Sequence, residues 1–168
     1  YIQKAMNNSS VESELINCKN ELDQIHSQII DLGLTSSITP YLSKYAIIRG
    51  CGTIEAAFKS LIADRVSRQV NIRVKNFLRK RVREGSANPN FDNICKFLVD
   101  FDEQWKAEFK TQIAMDPNGP ALRTSLQSLV NARNDFAHGG SPAVSITDTL
   151  RYFEDARRVV EILDIVIN

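Results

Sequence analysis

No apolar run in this sequence approaches the ~20 residues that cross a bilayer, and no secretory leader is expected, so neither a membrane role nor export is anticipated. Histidine is scarce, with only His26 and His138, and they lie far apart. No H-x-x-x-H pattern occurs and the acids are scattered, so no metal set and no cofactor is expected. There is no G-K-[ST] loop to cradle a phosphate and no G-x-S-x-G turn to present a nucleophilic serine. Cysteine is limited to Cys18, Cys51 and Cys95, an odd number without a C-x-x-C pair. That usage points to reduced thiols and a cytoplasmic protein. Strand-like alternation and internal repeats are also missing, which removes most β architectures.

What remains is helical periodicity. With 168 residues and 43% apolar composition the chain can bury a single large core, so one domain over 1–168 is expected. Residues 1–9 read as a disordered lead-in, and Ser9 or Ser10 as the cap of a first helix. Its apolar positions run Val11, Leu15, Cys18, Leu22, Ile25, Ile29 and Leu32, and Gly33 ends it. Pro40 opens a second helix whose pattern continues through Gly50 and Gly52; two helical glycines are tolerable if another helix approaches closely there. Phe91 to Ile113 is helical with a break near Asp100 to Glu103, and Phe101 and Trp105 are expected in the core. A turn at Asp116–Pro120 precedes a further helix, and Ser145 or Thr147 caps the last. The expected fold is an all-α bundle of five to six helices.

Charge is balanced in total, at +1, but not in distribution. Between residues 65 and 83 the chain carries Arg65, Arg68, Arg73, Lys75, Arg79, Lys80, Arg81 and Arg83 and not one acid. Interleaved with Val70, Ile72, Val74, Phe77, Leu78 and Val82, this reads as a basic amphipathic helix, or two short ones. Its uncompensated repulsion suits a polyanion, and RNA is the expected partner; the bland alternative is a solvated helix face.

The chemistry-bearing stretch is Ser128 to Gly140, SLVNARNDFAHGG. Leu122, Leu126, Leu129 and Val130 recur at helical spacing and lead the apolar stripe into Arg133. Gly139 and Gly140, followed by Pro142, stop that helix just after His138. A guanidinium on the core side and an imidazole on the last turn are an unusual pair to build for packing alone. The bland readings are a structural ion pair for Arg133 and a helix-end cap for His138. On the second helix, Ile48, Cys51, Glu55, Phe58 and Ile62 step by three or four, which sets a carboxylate within an apolar stripe. A buried acid needs a partner, so Glu55 is expected to pair with Arg133.

Arg133-Asn134 followed by His138 resembles the R-x4-6-H motif of HEPN-superfamily ribonucleases, in which a polar residue follows the arginine. Tyr45 to Ile62, YAIIRGCGTIEAAFKSLI, is similar to the acid-bearing apolar helix of stand-alone HEPN domains from prokaryotic defence and toxin–antitoxin systems. The resemblance covers mainly residues 41–68 and 120–168. It implies a HEPN-like helical bundle and a metal-independent endoribonuclease that cuts by 2′-OH attack and leaves a 2′,3′-cyclic phosphate. In that role His138 would move the proton and Arg133 would hold the phosphorane charge. Asn134 would orient the ring or hold a phosphate, and Asp135 would brace the imidazole.

The resemblance further implies a toxin or antiviral effector, a homodimer, and a cognate antitoxin or activating partner. The alternative is a catalytically silent HEPN domain used for dimerisation or RNA binding within a larger protein. On one straight helix Arg133 and His138 sit about 140° apart around the axis and roughly 7.5 Å apart along it. The dimer expectation rests on that separation, since two copies could bring both groups into one cleft; the competing expectation is that the helix unwinds at Phe136 and swings His138 back within one chain.

Overall fold

The computed structural model describes residues 5–140 and 144–168. Residues 1–4 of the expected lead-in, and Pro142 of the expected stop, lie outside the described residues. Seven α-helices and one π-helical turn account for the secondary structure, and there is no strand among the described residues. The all-α bundle is therefore present, with more helices than the five or six expected. The added pieces come from the basic segment and from a helix split at one aspartate.

Four long helices make the frame. They are α1 (Ser9–Leu32), α2 (Thr39–Val66), α6 (Gly119–Ala137) and α7 (Ile146–Ile167). α2 packs on α1, α6 and α7, and Ala46, Cys51, Ile54, Phe58, Leu61 and Ile62 all sink into one continuous core. α4 (Phe91–Phe101) and α5 (Glu103–Met115) form a shorter pair against α6 and α7. α3 (Ile72–Leu78) and the π turn (Arg79–Arg83) lie apart, over a small second cluster of Ala63, Leu78 and Val82.

Local sequence sets most of the boundaries. Asn8, one residue ahead of the expected serines, caps α1: its side chain accepts from the Val11 N–H at 3.1 Å. Residues ahead of it are tied down, since the Asn7 N–H donates to Asp164 at 2.5 Å and Asn8 reaches Asp64 at 3.0 Å. Asp102 both closes α4 and caps α5, accepting from the Gln104 N–H at 2.8 Å, which is why the stretch from Phe91 breaks there. Ser145 caps α7 through the Asp148 N–H at 3.0 Å.

Gly50 is buried, and a Cβ there would meet the Phe153, Leu22 and Leu129 side chains at ordinary contact distances of 3.4 to 4.0 Å, so no helix approaches closely enough to require a glycine. Gly52 faces open space and has no such neighbours. Trp105 packs against the core as expected, but Phe101, the last residue of α4, is 36% exposed.

Candidate active site

The end of α6 is built by its glycines. Gly139 takes φ +82°, its N–H bonds the Phe136 carbonyl at 3.0 Å, and the Gly140 N–H bonds the Asp135 carbonyl at 2.8 Å. That double closure is a Schellman motif, which needs a left-handed residue at Gly139. His138 is the last residue before the turn, at φ −92° and ψ 15°, so it has already left helical geometry. Only its own dihedrals differ: α6 does not unwind at Phe136, and the His138 N–H still closes a helical bond on the Asn134 carbonyl at 3.0 Å, so Arg133 and His138 keep the straight-helix separation up to the His138 Cα. Both side chains, with Asn134 between them, border one open groove of about 570 Å³ within a single chain.

Arg133 points from α6 toward α2, with its Nη2 3.4 Å from Glu55 Oε2. Glu55 is a hub. Its Oε1 also accepts from Lys59 Nζ at 3.0 Å and from the Ala87 N–H at 2.9 Å. Lys59, only 6% exposed, donates in addition to the Gly85 carbonyl at 2.5 Å. One carboxylate and one ammonium thus fasten the loop after the π turn to α2 and hold the guanidinium facing it. Burial pushes the Cys51 thiol up, and the neighbouring Arg133 guanidinium opposes that shift. Sequence reasoning misses Lys59, although its position four residues after Glu55 on the same helix was the available signal.

The fastened loop forms the opposite wall of the groove, through Ser86, Ala87 and Asn88. α4 closes the side with Asn93, Lys96, Phe97 and Asp100. Lys96 is exposed and adds a second cation near Arg133. Phe97 is held edge-on by Phe58, with ring centroids 5.5 Å apart. Among the described residues no hydrogen bond or ion pair holds the His138 ring, and Asp135 makes none to it. The expected brace from Asp135 is thus not formed; Asp135 is exposed and meets the turn only through its carbonyl.

A larger cavity of about 830 Å³ lies beside α7, rimmed by Asp116, Glu154, Asp155 and Asp164. Its acidic rim repels a polyanion, so size alone misleads. Among the described residues no cluster of three His, Cys, Asp or Glu side chains is arranged to hold a metal ion, and no helix is long and apolar enough to cross a membrane.

The eight cations of residues 65–83 divide evenly. Arg65 bonds the Ile167 carbonyl at 2.6 Å and Arg68 the Asn168 side chain at 2.8 Å, tying α2 to the end of α7. Arg79 pairs with Glu84 at 2.5 Å, and Arg83 pairs with Asp64. Those two acids flank the acid-free window by one residue on each side, so its repulsion is partly compensated. Arg73, Lys75, Lys80 and Arg81 are exposed and have no side-chain partner among the described residues.

Comparisons with curated proteins and with solved structures found no match. A family model described as RiboL-PSP-HEPN matches residues 10–168, from the first turn of α1 to the final residue. The match takes in Glu55 on α2 and the Arg133–His138 end of α6 together, and it brings with it a nuclease or RNA-related function. An all-helical bundle matched over nearly its whole length in this way belongs to the RiboL-PSP-HEPN family of HEPN domains.

Proposed function

We propose that this protein is a metal-independent endoribonuclease with its reaction centre in the groove at the end of α6. The observation that carries this reading is that Arg133, Asn134 and His138 border one solvent-open groove. The ribose 2′-OH attacks the adjacent phosphorus, a P–O2′ bond forms and the P–O5′ bond breaks. His138 accepts the 2′-OH proton or delivers one to the leaving 5′ oxygen, as an imidazole does near neutral pH. The Arg133 fork and Lys96 offset the charge that builds on the non-bridging oxygens. Asn134 binds a phosphate oxygen or positions the ring. The products are a 2′,3′-cyclic phosphate and a 5′-OH.

A homodimer completes the reading. Leu34 and Ile38 in the α1–α2 connection and Tyr41 on α2 are 84%, 52% and 73% exposed, and Lys44 on α2 lies 5.4 Å from the ring centroid of Phe136, within the motif. An isologous interface there would cover that apolar surface and bring two motif ends together, letting two His138 rings divide the two proton transfers. A free-running ribonuclease harms the cell that makes it, so we assign it as a toxin or antiviral effector under a cognate antitoxin or activator. Its three free, buried cysteines suit a reducing cytoplasm.

The test is to incubate purified protein with RNA in EDTA and to examine the 3′ ends. New ends that accept poly(A) only after removal of a cyclic phosphate are expected. Cleavage abolished by EDTA would sink the mechanism, and intact RNA would favour the silent binding module.

A further inference from the structure

We propose that α3 and the π turn form a binding arm for single-stranded RNA in which the exposed ring of Phe77 stacks on an unpaired base. The inference rests on the ribonuclease reading for its ligand and extends it to the kind of RNA taken. Of the seven residues of α3 only Leu78 is buried, and Phe77 is 60% exposed. Arg73, Phe77 and Arg81 follow at steps of four, so one face of the arm presents cation, aromatic ring and cation in line. The wider π turn, closed by the Glu84 N–H on the Arg79 carbonyl at 3.0 Å, keeps Arg81 on that face. Leu78 and Val82, about 100° further round the axis, pack with Ala63 and Phe97.

Phe97 is also a wall of the groove, and the chain runs from the π turn directly into the Ser86–Asn88 wall. The arm and the groove therefore share a root. Charge identifies the ligand: Arg73, Lys75, Lys80 and Arg81 are free, whereas Glu84, the nearest acid, is already taken by Arg79. Free cations beside an exposed ring match the alternation of phosphate and base in a single strand. A duplex hides its base faces and would leave the Phe77 ring unused.

The experiment is an anisotropy titration of end-labelled 12-nucleotide oligoadenylate, and of a 12-base-pair RNA duplex, with the full chain carrying His138→Ala. Adding Phe77→Ala should weaken single-strand binding about tenfold, the size of one lost base stack, without altering the salt slope. Phe77→Trp should restore affinity, and duplex binding should not change. Neutralising Arg73, Lys75, Lys80 and Arg81 to Gln should flatten the salt slope by about 0.7 for each phosphate that no longer meets a cation. Unchanged oligoadenylate binding in Phe77→Ala, or equal losses for single strand and duplex, would overturn the arm. A salt slope untouched by the four neutralisations would do the same and point to a protein partner. Cleavage by the unmutated chain is scored separately. Binding through Phe77 without cleavage refutes the nuclease alone, and cleavage with wild-type binding by Phe77→Ala refutes the arm alone.

Discussion

His138 is exposed and its ring is held by no hydrogen bond or ion pair among the described residues, whereas Arg133 is paired with Glu55 beside a buried thiol. The two motif residues should therefore fail in different ways. His138→Ala should lose at least about 100-fold in cleavage rate with an unchanged melting temperature, because it removes proton transfer and little packing. Arg133→Ala should lose cleavage and melt lower as well, since Glu55 is left with less compensation. Equal melting of both variants, or wild-type cleavage by His138→Ala, would contradict this division. Lys59 is a stronger case of hidden importance. Lys59→Met should cost about 1–3 kcal/mol in urea unfolding, because it strips Glu55 and the Gly85 carbonyl of a buried donor. It should also lower cleavage in the fully folded protein by loosening the groove wall; activity equal to wild type would show the wall does not depend on it.

At the scale of helices, the two glycines of α2 separate packing from propensity. Gly52→Ala should stabilise by about 0.5–1 kcal/mol, since a helical glycine facing open space only adds unfolded-state freedom. Gly50→Ala should gain less than Gly52→Ala, because its methyl meets the Phe153 ring at 3.4 Å, the near limit of ordinary contact, with Leu22 and Leu129 behind it. A melting temperature raised more by Gly50→Ala than by Gly52→Ala would refute the distinction. The same helices show what could be read in advance. Gly33, Pro40, Asp102 and Ser145 act on the next few residues, so the boundaries they set were legible. The partners of Arg79 and Arg83 were hidden for a narrow reason: Glu84 and Asp64 stand just outside the acid-free window. The groove was hidden for a broader one. One wall comes from residues 86–88, far along the chain from the motif, and periodicity says nothing about which loop a helix end will face. The spacing of Arg133 and His138 was legible, since α6 runs unbroken to Ala137; the groove that both border was not.

For the whole molecule, the proposed dimer supplies a second copy of Arg133 and His138 beside the first, and with it a second proton carrier. Light scattering at assay concentration should give twice the 18.9 kDa chain mass. Mixing Arg133→Ala protein with His138→Ala protein should recover part of the cleavage that each lacks. A fully active monomer would remove the composite site and leave the groove of one chain to act alone.

The arm is joined to the bundle through Ala63, Leu78 and Val82, outside the main core. Parts of a protein held by little buried apolar surface open at a lower free energy than the body they sit on. Amides of α3 and the π turn should exchange with deuterium well before those of α2 or α7. Brief trypsin treatment should nick first at Arg73, Lys75, Lys80 or Arg81, leaving the rest of the bundle whole. Single-stranded RNA should slow both. The arm is then a segment whose opening cost the ligand sets, a latch that is easily sprung in the free protein and shut by its substrate.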